Sequence, residues 1–368
     1  MTKAAELAKM GEVLTNSQIG GRRNIIINGA MQVAQRGTSS TGLGATSGYY
    51  TLDRNRLTFS GTAGRLTMTQ TADGPSGFSN CLKLDCTTAD TSVAAGEILI
   101  LGQNFEGQDL QQFKKGTSDA EKITVSFYVK GNANATYTCE LYDNDNSRSI
   151  AQEFSVTTSW SRVVLTFNNE TSNALDDDNA SSLSLHLWLH GGSTFAGGTF
   201  ASNTWHTTNA NRLSDSQSSF FDSTDRTFFI TGIQMEVGSQ ATPFEHRSFG
   251  EELALCERYF VECFSGDSNY ESAGSGRAYV GGVCIYKPLR VQMRARPTIS
   301  KSASGTIHVS DDVNTSTNVS NIITSTDVAS RDIMYMECTA SGVTTYRPYH
   351  VRANGTTTDA SIKIDAEI

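Results

Sequence analysis

Apolar residues alternate with polar residues through much of the chain, and this period of two constrains the fold more than any other feature. Side chains of a β-strand point alternately to its two faces, so each such segment has one apolar face and one polar face. The pattern predicts half-buried antiparallel strands that pack as a β-sandwich. Three segments with this spacing carry their apolar residues at Ile123, Val125, Phe127 and Val129; at Tyr137, Cys139 and Leu141; and at Val163, Leu165 and Phe167.

The composition also favours a chain made of strands. Only 18% of the residues are charged and 5 of the 368 are proline, whereas glycine occurs 32 times. Many short strands joined by polar turns have such a composition. A chain of this length is long enough for more than one domain, each with its own core. We predict an all-β protein with an antiparallel jelly-roll or β-sandwich domain and a smaller C-terminal β-domain.

The charge balance and the absence of several motifs exclude whole classes of protein. The formal net charge is −9 at pH 7, and without a basic patch to neutralise phosphates we expect no nucleic-acid partner. No apolar run approaches the roughly 20 residues that span a bilayer, so no membrane insertion is expected. The sequence has no phosphate-binding loop, nucleophile elbow or zinc-protease motif. We therefore predict that the protein is not an enzyme and uses no cofactor.

The N-terminal residues and the cysteines both indicate folding in a reducing cytoplasm. The first residues lack the apolar core of a secretory signal. The 7 cysteines are an odd number, so at least one remains free, and we expect reduced, buried thiols.

Two helices are predicted beside the strands. In residues 2–15 a narrow apolar stripe, formed by Leu7, Met10 and Leu14, predicts a short amphipathic helix. So short a helix is marginal alone in water, so we expect it to dock on sister copies or on a larger assembly, with a frayed tail as the alternative. A second helix is predicted to follow Ser248, which has Glu251 three residues later as in a capping box.

These patterns divide the chain into four predicted parts. The C-terminal part ends in a strand with apolar residues at every second position from Ile362 to Ile368. The parts are an N-terminal helix and linker (1–23), a jelly-roll domain (24–247), a connecting helix (248–265) and a C-terminal β-sandwich domain (266–368).

Several segments of the chain resemble known families. Residues 24–38 (NIIINGAMQVAQRGT), 234–259 (QMEVGSQATPFEHRSFGEELALCERY) and 291–299 (VQMRARPTI) are similar, in this order, to segments of structural proteins of tailed bacteriophages. Residues 154–165 (FSVTTSWSRVVL) resemble a strand-turn-strand segment found in the jelly rolls of carbohydrate-binding modules. At Asn55 the chain departs from the phage pattern, which often has tryptophan there.

The phage resemblance implies a virion structural protein, a tail fibre or appendage that attaches to polysaccharides on the host surface. It also implies a homotrimer, displayed on the virion and joined to other tail or head proteins through residues 2–15. Two alternatives remain open. One is a head-decoration or tail-nozzle component that binds no glycan. The other is a tail spike that cleaves glycans, because the two carboxylates of a glycosidase leave no local motif.

One strand offers a candidate carbohydrate-binding face. From residue 183 to residue 189 every second residue is leucine, which leaves His186, Trp188 and His190 together on the other face. Sugar rings stack on aromatic rings while polar neighbours bind the hydroxyl groups. Trp205, in the following loop, is predicted to add a second wall. The alternative is that this loop or a neighbouring subunit covers the face, so that the three side chains serve packing.

Two acidic loops are candidate sites for a bound metal ion. Residues 143–146 (DNDN) and 176–179 (DDDN) are rich in the oxygen ligands that Ca²⁺ prefers. Neither fits the EF-hand loop. A structural Ca²⁺ is one interpretation of these loops, and ordinary solvated turns are the favoured one.

Overall fold

The computed structural model describes Lys3 and residues 23–264, 271–302, 305–311, 316–324, 331–354 and 360–368. Apart from Lys3, the predicted helix over residues 2–15 and the linker up to residue 22 lie outside the described residues. The chain divides between Phe249 and Gly250 into two compact units, here called unit 1 and unit 2.

Unit 1 is a sandwich of two six-stranded antiparallel sheets, which confirms the predicted all-β fold. Sheet 1 has the strand order β1-β4-β5-β12-β7-β10 and sheet 2 the order β2-β3-β6-β11-β8-β9. The strands are β1 (Ser39–Leu43), β2 (Gly48–Tyr49), β3 (Arg56–Ser60), β4 (Arg65–Thr71), β5 (Cys81–Thr88), β6 (Ile98–Glu106), β7 (Ile123–Gly131), β8 (Ala135–Asp143), β9 (Arg148–Val156), β10 (Ser161–Phe167), β11 (Ser181–Gly191) and β12 (Thr227–Val237).

The core of unit 1 lies between the two sheets and is filled by the residues that the alternation singled out. Phe127 of β7, Cys139 of β8 and Leu185 of β11 all belong to it and are buried. The side chains between them point away from the core, so each sheet has an outer face. Within residues 23–248, helical structure is limited to one short helix, Ser193–Ala196, and three 3-10 turns, at Gly107–Asp109, Gln111–Phe113 and Asn209–Asn211.

The first and last parts of unit 1 are joined by a hydrogen-bonded cluster of Asn24, Glu245 and Arg247, here called the clamp. The backbone N–H of Asn24 donates to Glu245 Oε2 at 2.8 Å. The Arg247 guanidinium donates to the carbonyl oxygens of Asn24 and Ile26. Two of the segments that resemble phage proteins therefore meet in space, although more than 200 residues separate them.

A buried turn follows the clamp at Asn28 and Gly29. Asn28 has a positive φ of 61°, and its Oδ1 accepts hydrogen bonds from the N–H groups of Gln32 and Val33, both at 2.9 Å. At Gly29 a Cβ atom would lie 2.2 Å from the carbonyl oxygen of Ile233, so only glycine fits. The asparagine–glycine pair of this segment is thus required by close backbone packing.

Unit 2 contains two antiparallel sheets that share one core. The larger has the strand order β18-β17-β21-β14-β15-β20-β19 and the smaller the order β13-β22-β16. The strands are β13 (Phe260–Glu262), β14 (Ser272–Tyr279), β15 (Gly282–Pro288), β16 (Thr298–Lys301), β17 (Ile307–Ser310), β18 (Ser316–Asn318), β19 (Asn321–Thr324), β20 (Ile333–Thr339), β21 (Pro348–Ala353) and β22 (Ile362–Asp365). The predicted last strand, β22, is the central strand of the smaller sheet.

The connecting helix is shorter than predicted. It spans Phe249–Glu257 instead of continuing to residue 265, and Phe260–Glu262 forms strand β13, which pairs with β22. Pairing with a strand about 100 residues later overrides the local helical pattern, a non-local effect that sequence periodicity does not register. Phe249, the first residue of the helix, is 58% exposed.

All 7 cysteines are free thiols, and all are buried except Cys284, which is half-buried. Burial raises the pKa of the Cys81 and Cys86 thiols to about 11, so both are protonated at neutral pH. Among the described residues, no helix combines the length and the apolar composition needed to span a membrane.

Candidate functional site

The outer face of sheet 2 carries the residues that the sequence singled out on β11. The leucines of this strand point into the core, as predicted, and leave His186, Trp188 and His190 on the outer side. Strands in a sheet lie about 4.8 Å apart, so residues in register form a row across it. The row through His186 consists, from β2 to β8, of Tyr49, Arg56, Gly102, His186 and Glu140.

One half of this face is covered by another part of the chain. The prediction that His186, Trp188 and His190 together form an exposed sugar-binding face therefore needs correction. Trp188 and His190 are both 0% exposed. Residues 192–222, here called the covering segment, lie over them; Trp188 packs against Leu213 and, with 5.0 Å between ring centroids, against Phe195. The ring of Trp188 therefore offers no free face to a ligand, and the alternative that the following loop covers it describes this half of the face.

Backbone and side-chain hydrogen bonds fasten the covering segment to the sheet. Gln217 Nε2 donates to the carbonyl oxygen of Trp188 at 2.9 Å. The N–H of Phe220 donates to the carbonyl oxygen of Leu189 at 2.8 Å. At Gly191 a Cβ atom would lie 2.5 Å from Leu213 Cδ1, so the absence of a side chain there lets the segment approach. The cover is consequently part of the folded sandwich.

His190 is engaged through both ring nitrogens. Nε2 lies 2.9 Å from Glu97 Oε2, and Nδ1 lies 2.8 Å from Ser219 Oγ. The ring also packs edge-on against Phe221, with centroids 5.5 Å apart. With its polar atoms satisfied inside the protein, His190 joins the covering segment to sheet 2 and has no atom left for a sugar.

Glu140 is the centre of the polar network under the cover. Its carboxylate is 0% exposed and accepts a bidentate pair of hydrogen bonds from Arg212, at 2.7 and 2.6 Å. Trp188 Nε1 donates to it at 2.9 Å and His186 Nδ1 lies 3.0 Å from it. Because a carboxylate only accepts hydrogen bonds, His186 Nδ1 carries a proton.

These partners hold Glu140 ionised. Burial acts to raise the pKa of Glu140, but the hydrogen bonds and charge of Arg212, helped by His186, outweigh burial and lower this pKa to about 2. The Arg212 guanidinium also lies over the rings of Trp188 and Tyr142, at 4.8 Å from each centroid. One arginine of the covering segment thus links the buried acid to the aromatic rings on both sides of it.

The other half of the face is open to solvent and is here called the open strip. Tyr142 and His186 stack there with ring centroids 5.9 Å apart and planes at 23°, and the side chain of His186 is 20% exposed. Hydroxyl and amide groups lie beside them: Ser184 Oγ donates to Asn104 Oδ1 at 2.7 Å. The members of the open strip, all half-buried, are Arg56, Gly102, Asn104, Tyr142, Asn144 and His186.

Trp205 lies elsewhere, so the structure does not bring it to Trp188 as a second wall. Its Nε1 donates to the carbonyl oxygen of Asn168 at 2.9 Å, and Lys115 Nζ lies 4.8 Å from its ring centroid. Lys115 in turn forms a buried ion pair with Asp143 at 2.5 Å. Trp205 is half-buried against the main core and serves to cover this ion pair.

The two acidic loops form hydrogen-bonded turns. Asp143 binds Lys115 and accepts from Asn146 at 2.9 Å, and Asp145 Oδ2 accepts from the N–H of Asp176 at 2.9 Å. Within the described ranges, no three His, Cys, Asp or Glu side chains form a group that could hold a metal ion.

Sequence reasoning missed three residues that build this face, namely Glu140, Tyr142 and Arg212. A signal existed for the first two, because the inward residues of β8 leave Glu140 and Tyr142 pointing outward, in register with His186 and Ser184. For Arg212 there was none, since it lies in an irregular segment 72 residues from Glu140.

No protein-family model matches the chain, and no curated protein sequence matches it. Solved structures that it resembles include a family 11 carbohydrate-binding module from Clostridium thermocellum in complex with a mixed-linked tetrasaccharide, at 10% identity and a TM-score of 0.28, covering 56% of this chain and 98% of that one. A xylan-binding domain from Paenibacillus barcinonensis has 16% identity and a TM-score of 0.26, covering 55% and 94%.

A third resemblance is to the enzymatically active domain of tailspike protein 4 of bacteriophage CBA120. The identity is 11% and the TM-score 0.30, with 58% of this chain and 21% of that chain covered. The structural neighbours thus include carbohydrate-binding modules and a phage tailspike. Scores this low assign no ligand, and the sandwich fold of unit 1 rests on its own strand pairings.

Proposed function

We propose that this chain is a glycan-binding structural protein of a tailed-bacteriophage virion and that unit 1 binds the glycan on the open strip. The observation that carries the proposal is the stacked pair of Tyr142 and His186, partly exposed beside a row of amide and hydroxyl groups. Aromatic surface flanked by a few fixed polar groups is what sugar rings require.

The polar network makes the open strip rigid before a ligand arrives. Glu140 holds His186 through Nδ1, and Arg212, fixed by the same carboxylate, lies over Tyr142. The imidazole therefore presents its other nitrogen outward, as an acceptor when neutral and a donor when protonated. A preorganised site loses less conformational entropy when a sugar binds.

In this proposal the protein binds glycans and does not cleave them. Glu140 is the acidic residue nearest to Tyr142 and His186 in the network, and its low pKa, with Arg212 bound to both oxygens, makes it a poor proton donor. A glycosidase needs an acid whose pKa is raised and a second carboxylate roughly 5–10 Å away. These features support binding over cleavage.

The virion role and the trimer belong to the same proposal and are supported by the three sequence segments that resemble phage structural proteins. Antibodies against the chain should label intact particles, and failure to label them would contradict the virion role.

The trimer is tested by light scattering of the full chain, which should give about three times its mass of 39.7 kDa. A stable monomer would contradict the trimer.

Glycan binding is tested by applying the purified full-length chain to an array of bacterial capsule and lipopolysaccharide glycans. We expect binding that Tyr142→Ala weakens and that Tyr286→Ala leaves unchanged. Tyr286 is a matched control, because it is 52% exposed and lies in unit 2. Binding that survives Tyr142→Ala would contradict the assignment of the open strip.

A further inference from the structure

The open strip contains a notch at Gly102. In the row across sheet 2, Gly102 stands between Arg56 on one side and His186 on the other. Glycine has no side chain, so only bare backbone lies between the backbones of Arg56 and His186, which are roughly 10 Å apart, twice the spacing of neighbouring strands. Along β6 the neighbouring outward residues are Ile100 and Asn104.

The two walls of the notch differ in charge. A Cβ atom at Gly102 would lie 3.2 Å from His186 Cδ2, so the edge of the imidazole that carries Nε2 borders the notch. Opposite it, Arg56 Nη1 donates to Thr58 Oγ1 at 3.0 Å. Across the described ranges, Arg56 forms no ion pair with a carboxylate.

The buried network adds no net charge beside the notch. Arg212 and Glu140 neutralise each other there, and among the described residues Arg56 has no carboxylate paired with it. The whole chain carries a net charge of −9, which makes long-range attraction of an anion unfavourable. Any preference for an acidic ligand must therefore arise from local contacts at Arg56.

We infer that the open strip selects acidic glycans and that the Arg56 guanidinium binds the carboxylate of a sugar acid across the notch. A guanidinium matches a carboxylate in geometry, with two parallel N–H···O hydrogen bonds. His186 Nε2 then contacts a hydroxyl group of the same ring, and Tyr142 packs against the neighbouring sugar. This inference rests on the proposed glycan-binding function and adds the chemical class of the ligand.

The experiment uses bacterial capsule polysaccharides that contain uronic acids, arrayed both as free acids and after reduction of their carboxylates to alcohols. We expect the wild-type chain to bind the free acids about 10- to 100-fold more tightly than the reduced polymers, as for other charge-assisted hydrogen bonds. Arg56→Gln should abolish this difference, whereas Arg56→Lys should retain part of it. Arg277→Gln, which removes an exposed arginine from β14 of unit 2, should change nothing.

The outcomes separate the inference from the proposed function. Equal binding of free and reduced polymers, unaffected by Arg56→Gln but weakened by Tyr142→Ala, would overturn the acidic ligand and leave the glycan site intact. Wild-type chain that binds neither form of any polysaccharide would overturn both. Thermal melting of Arg56→Gln should match that of the wild type, because the side chain is half-exposed and has no buried partner charge.

Discussion

The covered half and the open half of one sheet face are built from the same strands yet differ in their exposure to solvent. Trp188 and His190 are completely buried, while His186, on the same face of the same strand, remains partly exposed. The boundary between the two halves is set by where the covering segment ends. Strand alternation thus decides which face a residue occupies, whereas a separate, irregular segment decides whether that face meets solvent.

Under the proposed function, the covered half stabilises the fold and the open strip binds the glycan. A buried carboxylate is tolerated only when it is paired and hydrogen-bonded, and Glu140 meets this condition through Arg212, Trp188 and His186. Variants of the covered half should therefore lower the free energy of unfolding. Those of the open strip should lower glycan affinity with little loss of stability.

The largest effect is expected from Arg212→Ala. It leaves Glu140 as an uncompensated buried charge and should reduce the free energy of unfolding by about 3–5 kcal/mol, measured by urea denaturation. Lys114→Ala is the control, because Lys114 and Glu121 form an exposed pair whose loss should cost about 0–1 kcal/mol. Equal effects of the two variants would contradict the proposed division of the face.

The stability of the protein should depend on pH through the buried Glu140 carboxylate. The pKa of Glu140 is about 2 in the folded protein, below its ordinary value of 4.5, so its ionisation stabilises the fold above about pH 4.5 and this contribution is lost as the pH falls toward 2. The loss amounts to about 3 kcal/mol at most. The stability gap between the wild type and Glu140→Gln should therefore narrow from pH 5 to pH 2, and a constant gap would contradict the ion pair.

Trp188→Phe should have a smaller effect. Phenylalanine retains an aromatic ring but removes the hydrogen bond from Nε1 to the Glu140 carboxylate, and bonds to charged groups contribute about 1.5–3 kcal/mol. We expect lower stability and unchanged glycan affinity in the folded fraction. If Trp188→Phe instead had the stability of the wild type but a lower affinity for the glycan, Trp188 would contact the ligand after all.

The smallest effect on stability is expected from Tyr142→Ala. The ring is half-exposed, so we expect a loss of about 1 kcal/mol or less in unfolding free energy but about tenfold or more in glycan affinity. Calorimetry of binding, with Tyr286→Ala in parallel, measures the second quantity. A large stability loss with unchanged affinity would place Tyr142 in the structural half of the face.

The alternation of apolar and polar residues in the sequence predicted the strands and which of their side chains face the core. From Leu183 to Leu189, for example, every second residue has an apolar side chain that is buried in the core. The alternation did not predict the cover. Residues 192–222 have no regular period, and Arg212 reaches Glu140 from 72 residues away. The helix after Ser248 ended early for a similar reason, since Phe260 pairs with Asp365. Contacts between distant parts of the chain decided the site, and the assignment of Trp188 and His190 to a ligand was wrong on that account.

The clamp at the base of unit 1 has a mechanical consequence. Since Asn24 is hydrogen-bonded to Glu245 and Arg247, a pulling force applied to the chain on either side of the sandwich passes directly from one strand of polypeptide to the other at this point. We expect these hydrogen bonds to bear the load first, so that the two sheets of unit 1 and the open strip keep their fold for as long as the clamp holds.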